Sequence, residues 1–221
     1  MLATLSTTLT LLALAAASPL RRAAPQLSRA KAYQLQAVLY SPSLPDLDPP
    51  IAGQYLSGVH TGAGQNIAVV GPHSDPSYSY PPYYTNGTAA DGYTDVLNDL
   101  GTSYPWGVQV ADAASTDATY AGEHDVALNA GGGTDGVGIA AWGDERFLGG
   151  TAPGIYAVCE RFLYTHDNLT VVRFVYDGEV LPQGCVGIHF VPICAELPAL
   201  PAGSEWNHDF VQEVDCVPAS S

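Results

Sequence analysis

The sequence predicts an all-β protein, with an antiparallel β-sandwich as first choice and a closed barrel as second. Three observations carry this reading: short apolar runs that alternate with period two, 23 glycines and 17 prolines that interrupt them at irregular spacing, and long loops rich in proline, glycine and tyrosine. No internal repeat is evident, and a hydrophobic share of 47% excludes global disorder.

Taken in order, Met1 to Ala17 contains the apolar run Leu9 to Ala17, with Ala15 and Ala17 at the minus-three and minus-one places of an A-x-A cleavage site. Residues 1–17 therefore read as a secretory signal peptide. The run is far shorter than the roughly 20 residues that span a bilayer, and no membrane span is expected elsewhere. Residues 18–31 form a polar lead-in, where Arg21-Arg22 is a candidate dibasic processing site.

Residues 32–194 are expected to form a single β domain. In Ala32 to Tyr40, residues Tyr33, Leu35, Ala37 and Leu39 fall on one face and Gln34 and Gln36 on the other, the pattern of a half-buried strand. Ser41 to Pro50 carries four prolines and must be a loop. Gln54 to Val59 is extended and delivers His60-Thr61-Gly62-Ala63-Gly64, a glycine-rich turn before the buried strand Ile67 to Val70. Gly71 to Pro82 reads as an irregular loop, and the tyrosines between Asp75 and Tyr84 are expected to be exposed contact residues. Asn86-Gly87-Thr88 joins a tight hairpin signal to an N-glycosylation sequon. Thr94 to Gly101 is expected to be one short helix, capped by Thr94 and stopped by Gly101.

Pro105 to Val110 and Asp125 to Asn129 read as strands around an Asp112 to Gly122 loop. Gly131 to Gly136 formally matches a dinucleotide-binding glycine pattern, yet the long helix and the ribose-binding acid are missing, so it is a connection. Ile155 to Tyr164, Leu169 to Tyr176 and Cys185 to Val191 follow as three strands of an expected meander, with a second sequon at Asn168. The four cysteines, Cys159, Cys185, Cys194 and Cys216, imply disulfides in a secreted chain. Cys185 and Cys194 flank one strand and lie too far apart to bond to each other. Cys159–Cys185 with Cys194–Cys216 is preferred, and Cys159–Cys194 stays open. In a flat meander Cys159 and Cys185 would be about 9.5 Å apart, two strand spacings, so the preferred pairing requires the third strand to leave that sheet. Residues 195–221 are expected to be a tail stapled by a disulfide.

The chain has 7 Lys+Arg against 22 Asp+Glu, and four of the cations precede Ala32 while no acid does. From there on three arginines face all 22 acids, which leaves −19. Nucleic acid is thereby disfavoured as a partner, and the acidity is read first as solubility. There is no nucleophile elbow, zinc helix or phosphate loop, and no histidine at either expected mature terminus, Ser18 or Ala23, which excludes a copper-dependent polysaccharide oxygenase. No catalytic residue, cofactor or metal ligand is assigned. A hydrolase using an Asp/Glu pair in an acidic medium is the alternative function, because 22 acids supply many pairs. His60, His124 and His189 are read as structural histidines, the first two near core strands. His60, Trp106 and Trp142 form the candidate ligand patch, since a tryptophan beside glycine can serve as a stacking platform.

The order of Tyr33 to Leu39, then His60-Thr61-Gly62-Ala63-Gly64 with Asn66, Asn86-Gly87-Thr88, Pro105-Trp106-Gly107, Val158-Cys159, Gly184-Cys185 and Cys194 resembles small secreted fungal proteins. These are often labelled IgE-binding proteins and have a domain of unknown function. The resemblance covers roughly Ala32 to Cys194; the Asp112 to Gly122 insertion and the tail to Cys216 depart from it. It implies a secreted fungal β-protein without established catalytic residues. The expectation is a glycosylated, extracellular, non-enzymatic protein of the surface, wall or medium, with glycans or host antibody as partners.

Overall fold

The computed structural model describes residues 26–72, 81–88, 90, 94–115, 120, 123–163 and 166–219, apart from the side chains of 166 and 167. The signal peptide, the dibasic pair and the tyrosines at 78 and 80 lie outside these residues. In chain order the strands are β1 (Ser28–Ala30), β2 (Ala32–Leu39), β3 (Tyr55–Gly62), β4 (Gln65–Gly71), β5 (Tyr84–Asn86), β6 (Asp95–Asn98) and β7 (Trp106–Val110). They continue with β8 (His124–Ala130), β9 (Gly138–Trp142), β10 (Glu145–Gly149), β11 (Gly154–Leu163), β12 (His166–Tyr176), β13 (Cys185–Ala195) and β14 (Val214–Cys216). Among the described residues there is no helix.

Ten strands form one antiparallel sheet in the order β11-β13-β2-β3-β4-β12-β8-β7-β6-β5, and β9–β10 and β1–β14 form two separate ribbons. The large sheet folds over itself, because β12 also pairs with β11, and β4 also pairs with β8. At the folds, β2 meets β3 and β4 meets β12 through single register pairs, Gln36 with Tyr55 and Val69 with Val171. The result is a sandwich stitched at its corners. Alternation supplies its core: Tyr33, Leu35 and Ala37 of β2 meet Val126 and Leu128 of β8, Val158 of β11, Phe174 of β12 and Phe190 of β13, all buried.

The glycine-rich turn is a hairpin. His60 pairs with Asn66 and Gly62 with Gln65, leaving Ala63-Gly64 at the tip with Gly64 at φ 69°, a left-handed backbone that favours glycine. A second close fit explains Gly107. Gly131 to Gly133 lies over β7, and a Cβ on Gly107 would stand 2.2 Å from the Gly133 nitrogen.

Four expectations are corrected. The region 94–101 contains a strand, β6, because Val96 enters the main core while Leu97 is covered by Val211 of the tail, so both faces are apolar. The last three long strands are not a meander: β13 lies on the far side of β11 from β12. Cys159 and Cys185 are therefore directly opposite in register, with Cα atoms 4.1 Å apart, and form one disulfide; Cys194 and Cys216 form the other. Tyr83 and Tyr84 are buried rather than exposed, their hydroxyls donating to the Leu56 carbonyl and to Asp99. Finally, β5 and β6 are joined by residues 87–94, not by a two-residue Asn-Gly turn.

Candidate ligand groove

The groove is built on the outward face of β2 and β13. Because inward positions are taken by Leu35, Ala37, Ile188 and Phe190, the alternate residues Val38, His189 and Val191 point away from the core and, with Tyr40 just past the strand, make a floor. The β9–β10 hairpin stands beside it as a wall. Its register places Glu145 opposite Trp142 and Phe147 opposite Ala140, so Trp142, Glu145 and Phe147 share one face. The wall is anchored through Arg146, whose guanidinium bonds Asp215 of β14 at 3.0 and 3.1 Å and the Gly143 and Glu145 carbonyls. The Cys194–Cys216 disulfide in turn ties β14 to β13. Through these two links β14 is tied both to the groove's floor and to its wall.

The half-open groove has a volume of about 980 Å³, at the upper end of ordinary small-molecule sites. Three rings gather on His189: Phe147 with centroids 4.7 Å away, Tyr40 at 5.0 Å and Trp142 at 6.2 Å, the last nearly perpendicular. Trp142 is 61% exposed and Tyr40 46%, so two of the rings offer free faces. Burial pushes the His189 imidazole below its ordinary pKa against a weaker upward pull from Glu145. The ring is neutral at neutral pH. Leu27, Leu39, Pro42, Val217 and Ala52 complete an aliphatic lining, and Glu145 is the single carboxylate among the described lining residues.

Of the three residues singled out from sequence, only Trp142 lies here. Trp106 is 7% exposed and donates its indole N–H to Thr102 Oγ1 at 2.9 Å, a packed and satisfied core ring. His60 is exposed near the β3–β4 tip, with Nδ1 3.3 Å from Asn66 Oδ1. It lies on β3, a strand of the large sheet, with its side chain turned to solvent. Tyr40 and Phe147 escaped the sequence reading, although Tyr40 continues the outward alternation of Gln36 and Val38. Both Asn86 and Asn168 are described: Asn86 is 1% exposed at the end of β5, and Asn168 is exposed on β12.

Away from the groove, one set of charged groups is mutually engaged. Arg161 and Arg173 both bond Glu123, and Arg173 also bonds Asp125. Glu123, Cys159 and Cys185 come within metal-site range of one another, yet the two sulfurs are bonded to each other and the carboxylate is held by two guanidiniums. His124 is buried; desolvation would depress it, but hydrogen bonds to Glu179 and to the Ser115 carbonyl prevail and its pKa is raised. Burial raises the Asp95 carboxyl, a bond from the Gly133 backbone lowers it, Asp135 adds to the rise, and the net shift is upward. That pair lies outside the groove.

The fold and groove define a class: a small antiparallel β-sandwich with two disulfides and an aromatic cleft on its outer face. A family model described as "Domain of unknown function (DUF7907)" matches residues 30–194, and the chain belongs to that family. The chain is also similar to "Antigenic protein SchS34" of Stachybotrys chartarum, 28% identical over 207 residues that cover 87% of this chain and 88% of the relative. The expected kinship with proteins that have a domain of unknown function is borne out, and the relative is named for antigenicity, whereas the expected label was IgE-binding. No solved structure matches.

Proposed function

We propose that this is a secreted, glycosylated, non-enzymatic fungal recognition protein that holds a small extracellular ligand in the Trp142 groove. The supporting observation is the half-open ring cluster around His189, with Trp142 61% exposed at its lip. An indole that open leaves stacking area for an incoming ring. Secretion fits the A-x-A leader and the two disulfides. The Asn86 side chain is enclosed, so the glycan is assigned to Asn168. The relative's printed name concerns antigenicity, and recognition by host antibody, IgE included, is carried to this chain as part of the proposal.

A mixed library of neutral ring compounds and oligosaccharides, screened by thermal unfolding against the mature protein and Trp142→Ala, tests the reading. At least one compound should raise the midpoint of the parent and leave the variant unmoved. If every hit shifts both proteins equally, or if there are no hits, the groove is not the site.

A further inference from the structure

We infer that the groove takes an uncharged, largely apolar ring compound of low molecular weight, rather than a glycan or a carboxylated ligand. This rests on the preceding reading of the groove as the ligand site and deepens it from the state of its polar groups.

A sugar carries a hydroxyl on nearly every ring carbon, and enclosing those hydroxyls demands matching partners. Few are free. Every donor nitrogen of Arg146 faces a partner within the protein, namely Asp215 or the carbonyls of Gly143 and Glu145. Ser41 Oγ is 2.8 Å from Ser43 Oγ. What remains is the neutral imidazole of His189, the Tyr40 hydroxyl and the Glu145 carboxylate, enough for one or two polar atoms on a ligand. The remainder of the lining is aliphatic or aromatic: Val38, Leu39, Val191, Val217, Trp142 and Phe147. Such a surface gains free energy by covering apolar rings.

Charge narrows the class further. The groove's unneutralised charge is Glu145, on a chain of formal charge −15, so a carboxylate ligand meets repulsion both on approach and in place. A volume near 980 Å³ accommodates two to four fused or linked rings, in the range of drug-sized ligands.

The test titrates the mature protein with N-phenyl-1-naphthylamine, an uncharged fluorescent ring compound, and competes it with 2-naphthol, 2-naphthoate and a neutral glucan oligosaccharide. Saturable uptake at one site per chain is expected, weakened about tenfold in Trp142→Ala and again in Tyr40→Ala. Both residues are largely exposed, so the variants should keep the parent circular dichroism spectrum. The naphthol should displace the probe about tenfold better than the naphthoate, and the oligosaccharide should not displace it. Probe uptake that ignores both substitutions, or that yields equally to naphthol and naphthoate, overturns the inference. If instead the oligosaccharide binds in a Trp142-dependent manner and the probe does not, the ligand class is wrong while the groove reading survives. If neither binds, both readings fall.

Discussion

The guanidinium of Arg173, fully enclosed on the face of β12 opposite to Val172 and Phe174, donates from Nε to Glu123 Oε2 at 2.9 Å, and Glu123 is itself only 3% exposed. Arg161 shares the same carboxylate and also lies 3.2 Å from Cys185 Sγ, so a buried ion network sits against one disulfide. Two cations on one acid would leave an excess of charge; Asp125, bonded to Arg173, offsets it.

Removing one member should expose what such a network is worth. Arg173→Ala strands Glu123 with a single partner and opens a large void, and a loss of about 3–5 kcal/mol is expected in denaturant unfolding. Asp125 has a side chain 49% exposed, so Asp125→Asn should cost about 1 kcal/mol or less. Equal losses for the two would contradict the burial argument.

The pair His124 and Glu179 sets a pH window. His124 is raised above its ordinary 6.5, so its contribution is complete below pH 6.5 and is lost as pH rises through the higher folded value. Glu179 is lowered from 4.5: desolvation opposes this, but bonds from His124 and the Tyr176 backbone outweigh it, and its contribution is complete above pH 4.5 and lost as pH falls through the lower folded value. Both terms are full between these limits. Glu179→Gln should therefore lose most stability relative to the parent between pH 4.5 and 6.5, with the gap narrowing on either side. Urea midpoints from pH 3 to 9 check this, and a gap that keeps widening above pH 8 would be the wrong sign.

Opening the Cys194–Cys216 disulfide by Cys216→Ser with Cys194→Ser should destabilise the protein by about 3 kcal/mol, given a loop of 22 residues. Because Asp215 adjoins Cys216 and carries Arg146, the hairpin wall should also loosen. Amide exchange at 138–149 should accelerate by clearly more than exchange in β11, which follows the global loss. Uniform acceleration across both would indicate a global loss only.

For the proposed glycan, Asn168→Gln should abolish a deglycosylation-sensitive mobility shift of protein recovered from the culture medium, and Asn86→Gln should leave it intact, because Asn86 is 1% exposed and Asn168 is on the surface. Mass spectrometry of glycopeptides decides between them.

The sandwich was legible where one face of a strand is buried and the other wet. In β2, Tyr33, Leu35 and Ala37 announce themselves by period two, and the long strands of the last third were placed to within a few residues for the same reason. Val96 and Leu97 defeated that logic by being buried on opposite faces of one short strand, which on a line looks like a helical stripe. Arg173 reads in one dimension as a solvated cation, since Glu123 and Asp125 are about 50 residues away in sequence. The groove was harder still. Trp142 could be noticed beside Gly143, but its neighbours Tyr40, Phe147 and His189 come from three separate strands or their ends, and only the β13–β2 register and the Arg146–Asp215 tie bring them together.

The central claim, that the ligand site is the Trp142 groove and not the set His60, Trp106 and Trp142, is tested most directly by a ¹H–¹⁵N titration with N-phenyl-1-naphthylamine. The Trp142 indole signal and the amides of Tyr40, Phe147 and His189 should move together along one saturation curve while the Trp106 indole and the His60 amide stay still. Movement of Trp106 and His60 with a stationary Trp142 would contradict the account.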